Sequence, residues 1–208
     1  MSDPGGRLPL RRYRHGRGQA SSVGDGAPYP CGASWGIEMS IAALVDRLRA
    51  WDRAASQRCR SGGTAHLRRW VMIGAHLGDG WLWIGLVALG LVIHPAWHPW
   101  LGRWALALAL AAIVTTSLKR LWRRPRPAQR SGFYSLTYDR HSFPSGHAAR
   151  LGIAAILAPT FFPGWGWGLL PFLIWCGWAR VALGIHYVLD VAVGAAIGAA
   201  ISWLVLAW

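Results

Sequence analysis

The chain has 208 residues, of which 53% are hydrophobic, with 15 Trp and only 8 acidic side chains. Its formal net charge is +14, but the cations fall in two blocks, twelve Arg between Arg7 and Arg69 and eight Lys or Arg between Lys119 and Arg150, with apolar runs between them. Those runs approach the length needed to cross a bilayer, which argues against a soluble nucleic-acid platform and for a membrane protein whose basic faces meet a lipid surface and an anionic ligand.

Residues 1–36 are rich in Arg, Gly, Pro and Ser and contain no apolar stretch of the kind a signal peptide needs, so a disordered basic arm is expected there. A juxtamembrane segment, 37–69, follows. In it Ile37, Ile41, Leu44, Leu48 and Trp51 recur at three- and four-residue spacing, with Asp46, Arg47 and Arg49 between them. The pattern predicts an amphipathic helix, either lying on the membrane surface or packed on the domain. Cys31, Cys59 and Cys176 lack the paired spacing of a zinc site or a disulfide framework.

Residues 70–208 read as a membrane-embedded domain. Five crossings are predicted, over about 70–93, 101–118, 147–162, 167–183 and 187–208. The first contains Asp79 between Gly78 and Gly80. A carboxylate at membrane depth is a functional candidate by default, while an interfacial helix cap is the blander reading and the preferred one. His94 and His98 lie in a proline-broken turn with aromatic anchors, and their spacing does not suit a metal. In the last crossing Gly194 and Gly198 are four residues apart among alanines, a pattern that lets helices approach closely. The long connection before residue 147 and the short turn at 184–187 then fall on one membrane face.

Three motifs meet on that face. Lys119, six residues, then Arg126-Pro127 could hold a phosphoryl group between a point charge and a bidentate fork. Basic residues also flank many membrane helices as topology signals, and Arg120, Arg123 and Arg124 are assigned to that class. Pro144-Ser145-Gly146-His147 can open a helix whose N-terminus favours an anion, with a histidine in its first turn. Arg180, five residues, His186, three residues, Asp190 is the most specific of the three. His186 and Asp190 are four apart, on one face if a helix begins there, so that Asp190 could accept one imidazole proton and leave the other nitrogen to attack.

The three motifs in this order resemble the type 2 phosphatidic acid phosphatase superfamily, which is related to the vanadium haloperoxidases, over about residues 78–208. The resemblance implies an all-α, multi-pass bundle and a metal-independent membrane lipid phosphatase without cofactors. It implies His186 as the nucleophile of a phosphohistidine intermediate, Asp190 as its orienting partner and His147 as the general acid. Lys119, Arg126, Ser145, Gly146 and Arg180 would bind phosphate, and Arg150 and Asp79 are possible accessory residues. Ala179 stands where the family usually has Ser, and one phosphate contact is in doubt for that reason. Arg150 could reach a second phosphate or pair with Asp139.

The expected substrate is a lipid phosphate or diphosphate such as undecaprenyl diphosphate, phosphatidate or phosphatidylglycerol phosphate, in a bacterial inner membrane and without nucleic acid as a partner. The alternatives are a non-catalytic anionic-lipid binder and a phosphatase of a small soluble phosphoester. The distribution of positive charge places the site in the cytoplasm, whereas the resemblance implies an outward face.

Overall fold

A computed structural model of the chain describes residues 40–60, 64–127 and 140–208. Among these all regular structure is helical. The basic arm, the phenol rings of Tyr134 and Tyr138 and the proposed pairing of Arg150 with Asp139 lie outside the described residues.

Helix α1 (Ile41–Arg58) starts on Ser40, whose hydroxyl accepts from the Ala42 amide at 3.2 Å. Its apolar stripe points outward, with Ile41 82% and Trp51 55% exposed. Its opposite, polar face packs inward, because Asp52 and Ser56 are the residues it buries. The helix therefore docks on the domain through its polar face and leaves its apolar stripe exposed.

Helices α2 (Ala65–His76) and α3 (Gly80–Ile93) make up the first predicted crossing. They are not one continuous helix but meet at 56° across Leu77, Gly78 and Asp79. Two glycines around a residue with an extended backbone interrupt the hydrogen-bond ladder there. After a 3₁₀ turn (Pro95–Trp97), helix α4 (His98–Trp122) runs to Arg123, which closes it in the left-handed conformation at φ 45°. Helix α5 (Gly146–Phe161) follows, then a 3₁₀ turn (Gly166–Leu169), helix α6 (Leu170–Ala182) and helix α7 (Val188–Leu206). Among the described residues two segments are long and apolar enough to cross a membrane, Pro95–Trp122 and Val188–Leu206, or three if the bent α2–α3 pair is one span.

Helix α5 is the centre of the bundle: ten of its 16 residues are buried. It packs most extensively on α7. Small residues make this possible, as the Gly194 and Gly198 spacing predicts. A Cβ on Gly198 would collide with the Ala149 carbonyl, and one on Gly152 with the Ala195 carbonyl. Around this pair, Trp104, Ala107 and Ala111 of α4, Leu157 of α5, Leu173 and Cys176 of α6 and Val205 of α7 fill the core. The outer faces stay apolar, with Trp81 76% and Val92 78% exposed on α3, as hydrocarbon surroundings require.

Candidate active site

The loop before α5 is built by backbone bonds. The Ser142 amide donates to the Arg124 carbonyl at 2.9 Å, and the Ser145 amide donates to the Asp190 carbonyl at 2.9 Å. These two bonds tie all three motifs together. Ser145 is fully buried as the N-cap of α5, its hydroxyl accepting from the Ala148 amide at 3.3 Å. A hydroxyl that accepts still has its own proton to give. At Gly146 a Cβ would meet nothing closer than Thr115 Oγ1 at 3.6 Å, so neighbouring side chains do not impose the glycine. The open space leaves the backbone approachable by a ligand.

His186 is 1% exposed and lies in the turn before α7, not on it, since the helix begins at Val188. The expected shared helical face with Asp190 is therefore replaced by another geometry. His186 Nδ1 donates to the Ser142 carbonyl oxygen at 2.8 Å, and Asp190 Oδ2 stands 3.8 Å from the same nitrogen. A carbonyl can only accept, which makes Nδ1 the protonated nitrogen and leaves Nε2 with a free lone pair. Burial holds this imidazole down at about 4. The Asp190 carboxylate opposes the shift, and the positive charges of Arg180, Arg126 and Lys119 add to it. His186 is thus neutral, and nucleophilic, at neutral pH.

The three expected phosphate-binding cations converge on His186 from different elements. Lys119 comes from the last turn of α4 and Arg126 from the loop that follows it, its Nη1 donating to the Ile185 carbonyl at 3.2 Å. Arg180 comes from the last turn of α6, 1% exposed, its Nη1 donating to the Ala75 carbonyl at 3.2 Å. The packing of α2 on α6 through Val71, Ala75, Ala179 and Ala182 sets that depth. Ala179, where the resemblance expects Ser, is fully buried in this contact.

Asp190 has more partners than the spacing suggests. Its Oδ2 accepts from the Tyr187 amide at 2.9 Å as the third residue of a capping box, and its Oδ1 lies 2.7 Å from Arg124 Nη1. The other arm of Arg124 reaches Asp52 Oδ2 at 2.6 Å, and the guanidinium lies over the Tyr187 ring, 4.0 Å from its centre. Arg124 is therefore not a topology charge but the bridge between two buried carboxylates. Asp52 also accepts from the Leu189 amide at 3.0 Å, and Ser56 from the Val188 amide at 3.0 Å. Sequence reading missed Arg124 and Asp52. Scarcity was the available signal: with 8 acidic residues against 22 basic ones, a carboxylate inside an apolar pattern needs a reason.

His147 is 8% exposed in the first turn of α5, facing the charges of Arg180 and Arg150 and the ring of His186. Its Nε2 lies 2.6 Å from Asp79 Oδ1, and Asp79 Oδ2 lies 2.9 Å from His76 Nδ1. Asp79 occupies the N-cap position of α3 but its side chain makes no capping bond, so the preferred capping reading does not describe it. Arg150 Nε donates to the Gly78 carbonyl at 3.0 Å.

Among the described residues, cavities lie on several sides of this cluster. A groove of about 670 Å³ runs along α2 and α3, lined by Met72, Ile73, Trp81 and Leu82 with His76 and Asp79. A pocket of about 450 Å³ between α1 and the loop after α4 is lined by Arg49, Arg53, Arg123 and Arg124 with Trp122 and Phe143. A narrow opening of about 70 Å³ reaches His186 past Arg53 and Arg60.

Known proteins are similar to this chain in sequence and in fold. The decaprenylphosphoryl-5-phosphoribose phosphatase of Mycobacterium tuberculosis is 36% identical over 137 residues, 63% of this chain and 74% of that protein. The lipid A 1-phosphatase of Rhizobium etli is 32% identical over 107 residues, 48% of this chain and 46% of that one. Among solved structures, LpxE of Aquifex aeolicus matches with a TM-score of 0.61 at 25% identity over 74% of this chain and 94% of its own. The PAP2-type phosphatidylglycerolphosphate phosphatase of Bacillus subtilis shares the fold, with a TM-score of 0.63 at 21% identity over 80% and 89% of the two chains. A family model, that of the PAP2 superfamily, matches residues 100–208, more than half of the chain and all three motifs. With His147, Arg180 and His186 all buried within that match, the chain belongs to the PAP2 superfamily.

Proposed function

We propose that the protein is a membrane phosphatase that removes phosphate from a lipid phosphate or diphosphate through a phosphohistidine at His186. The observation that carries this reading is the hydrogen bond from His186 Nδ1 to the Ser142 carbonyl, which leaves Nε2 bare among Lys119, Arg126 and Arg180. Nε2 attacks phosphorus as the bond to the leaving oxygen breaks. His147 protonates that oxygen, then takes a proton from the water that hydrolyses the phosphohistidine. The three cations, with the Ser145 hydroxyl and the amides at Gly146, stabilise the charge that builds on the equatorial oxygens. Asp190 supports His186 by its nearby negative charge and by fixing the turn that carries it.

In this reading the chain crosses a bacterial inner membrane five times, through α2 with α3, then α4, α5, α6 and α7, with the cluster at one membrane face and α1 on the same side. Contacts of Asp52 and Ser56 with the start of α7 support the shared face. The relatives' names favour a substrate on a prenyl or lipid A scaffold, and the extra cations around the site favour a prenyl phosphate or diphosphate. Phosphate release from undecaprenyl diphosphate, phosphatidate and phosphatidylglycerol phosphate tests the assignment. His186→Ala is expected to abolish release from all three, and persistent turnover in that variant would sink it.

A further inference from the structure

The reaction as written leaves the break between α2 and α3 without a task. Asp79 forgoes the capping bond that its position at the start of α3 offers, and its side chain is held elsewhere. We propose that Gly78-Asp79-Gly80 is the positioning device of the general acid: Asp79 fixes His147 from one carboxylate oxygen, and His76 fixes Asp79 from the other. This inference rests on the reading of His147 as the acid.

The geometry supports each part. Asp79 Oδ1 is 2.6 Å from His147 Nε2, and Oδ2 is 2.9 Å from His76 Nδ1. An ionised carboxylate only accepts, so both imidazole nitrogens facing it carry protons. Gly78 lies flat against the His147 ring, where a Cβ would come within 3.0 Å of the ring carbon Cδ2 and 3.1 Å of the histidine Cβ. The Gly78 carbonyl accepts from Arg150 Nε at 3.0 Å, which anchors the break to α5. The Arg150 guanidinium also lies 3.4 Å from where a Cβ of Gly80 would stand. Thus the break touches α5 at the acid and again at the residue one turn later.

The consequence is a choice of nitrogen. With Nε2–H committed to Asp79, the proton that His147 can give to a leaving oxygen is on Nδ1. As the P–O bond breaks and the P–N bond to His186 Nε2 forms, the leaving oxygen takes the bond electrons and that Nδ1 proton. Neutral His147 then has a bare Nδ1 and an unchanged Nε2–H. When water attacks phosphorus and the P–N bond breaks, the water proton goes to Nδ1 and the starting form returns. Neither step changes the protons on Asp79 or His76, which makes both positioning residues. Asp79 stabilises the imidazolium before the first step and sets the tautomer after it.

The test compares phosphatidate, whose leaving alkoxide needs a proton, with p-nitrophenyl phosphate, whose leaving group does not, on the full-length protein in detergent. Asp79→Asn is expected to lower kcat on phosphatidate roughly 100-fold, within the range of general-acid effects, with less than about a threefold change on the aryl ester. Asp79→Glu should recover part of the loss. His76→Gln, at a half-exposed ring, should follow the same direction at roughly three- to tenfold. Equal losses on both esters in His76→Gln and Asp79→Asn, or no loss on phosphatidate, would overturn the positioning role. His147→Ala is the reference. If it shows the leaving-group dependence while the Asp79 and His76 variants do not, only this inference falls. If His147→Ala loses both esters equally, the acid assignment falls and takes this inference with it.

Discussion

The carboxylate of Asp52 accepts a hydrogen bond from the Leu189 amide at 3.0 Å, so helix α1 caps helix α7 across 137 positions of sequence. The same carboxylate holds Arg124, and Arg124 holds Asp190. An apparently peripheral helix is thereby wired to Asp190, the residue beside the proposed nucleophile His186.

Removing Asp52 should therefore act on stability and turnover together. Asp52→Ala leaves the Leu189 amide without its acceptor and Arg124 with one carboxylate, an expected loss of about 3 kcal/mol or more, since a broken buried pair costs about 3–5 kcal/mol. Asp52→Asn keeps an acceptor for the amide and should lose less. Thermal unfolding in detergent, read beside phosphate release, checks both, and wild-type values for Asp52→Ala would contradict the wiring.

His186 predicts an acid limb of stability. Its native value of about 4 lies below the ordinary 6.5, so between those values the unfolded chain binds more protons than the native one. Stability from this group is complete above about pH 6.5 and is lost as pH falls towards 4, in total on the order of 3 kcal/mol. Unfolding midpoints between pH 7 and 4 should fall less steeply in His186→Gln than in the wild type. Parallel slopes would show that burial does not hold the imidazole neutral.

The roles proposed for the two histidines separate kinetically. His186→Ala removes the proposed nucleophile and should reduce turnover of every ester to background. His147→Ala should slow natural lipid esters by roughly 10² to 10⁴ and spare aryl phosphates, whose leaving oxygen departs without a proton. A leaving-group series gives the answer: a steeper dependence of rate on leaving-group acidity is expected in His147→Ala.

Glycines that look alike in sequence should respond oppositely. Gly198→Ala drives a Cβ into the Ala149 carbonyl and should cost about 1–3 kcal/mol by forcing α7 away from α5. Gly102, exposed inside α4, would meet nothing within 4 Å, so Gly102→Ala should gain up to about 1 kcal/mol of helix propensity. Thermal midpoints shifting down for the first and up for the second are the expected pair.

The sequence by itself determined the helical class, the small-residue stripe of α7, and the three motifs with Lys119, Arg126, Ser145, Gly146, His147, Arg180, His186 and Asp190. These are local quantities: apolar length, the four-residue spacing of Gly194 and Gly198, and cations and histidines at short fixed offsets. Only the tertiary structure decided which nitrogen of His186 is bare, because its partner is the carbonyl of Ser142, 44 positions away and invisible in side-chain identity. It likewise decided the work of the carboxylates. Asp79 turns from a helix cap to His147 across 68 positions, and Arg124 turns from a surface charge to a bridge across 66 and 72. A buried charge takes the partner that lies within hydrogen-bond reach after folding, and spacing along the chain carries no information about that distance.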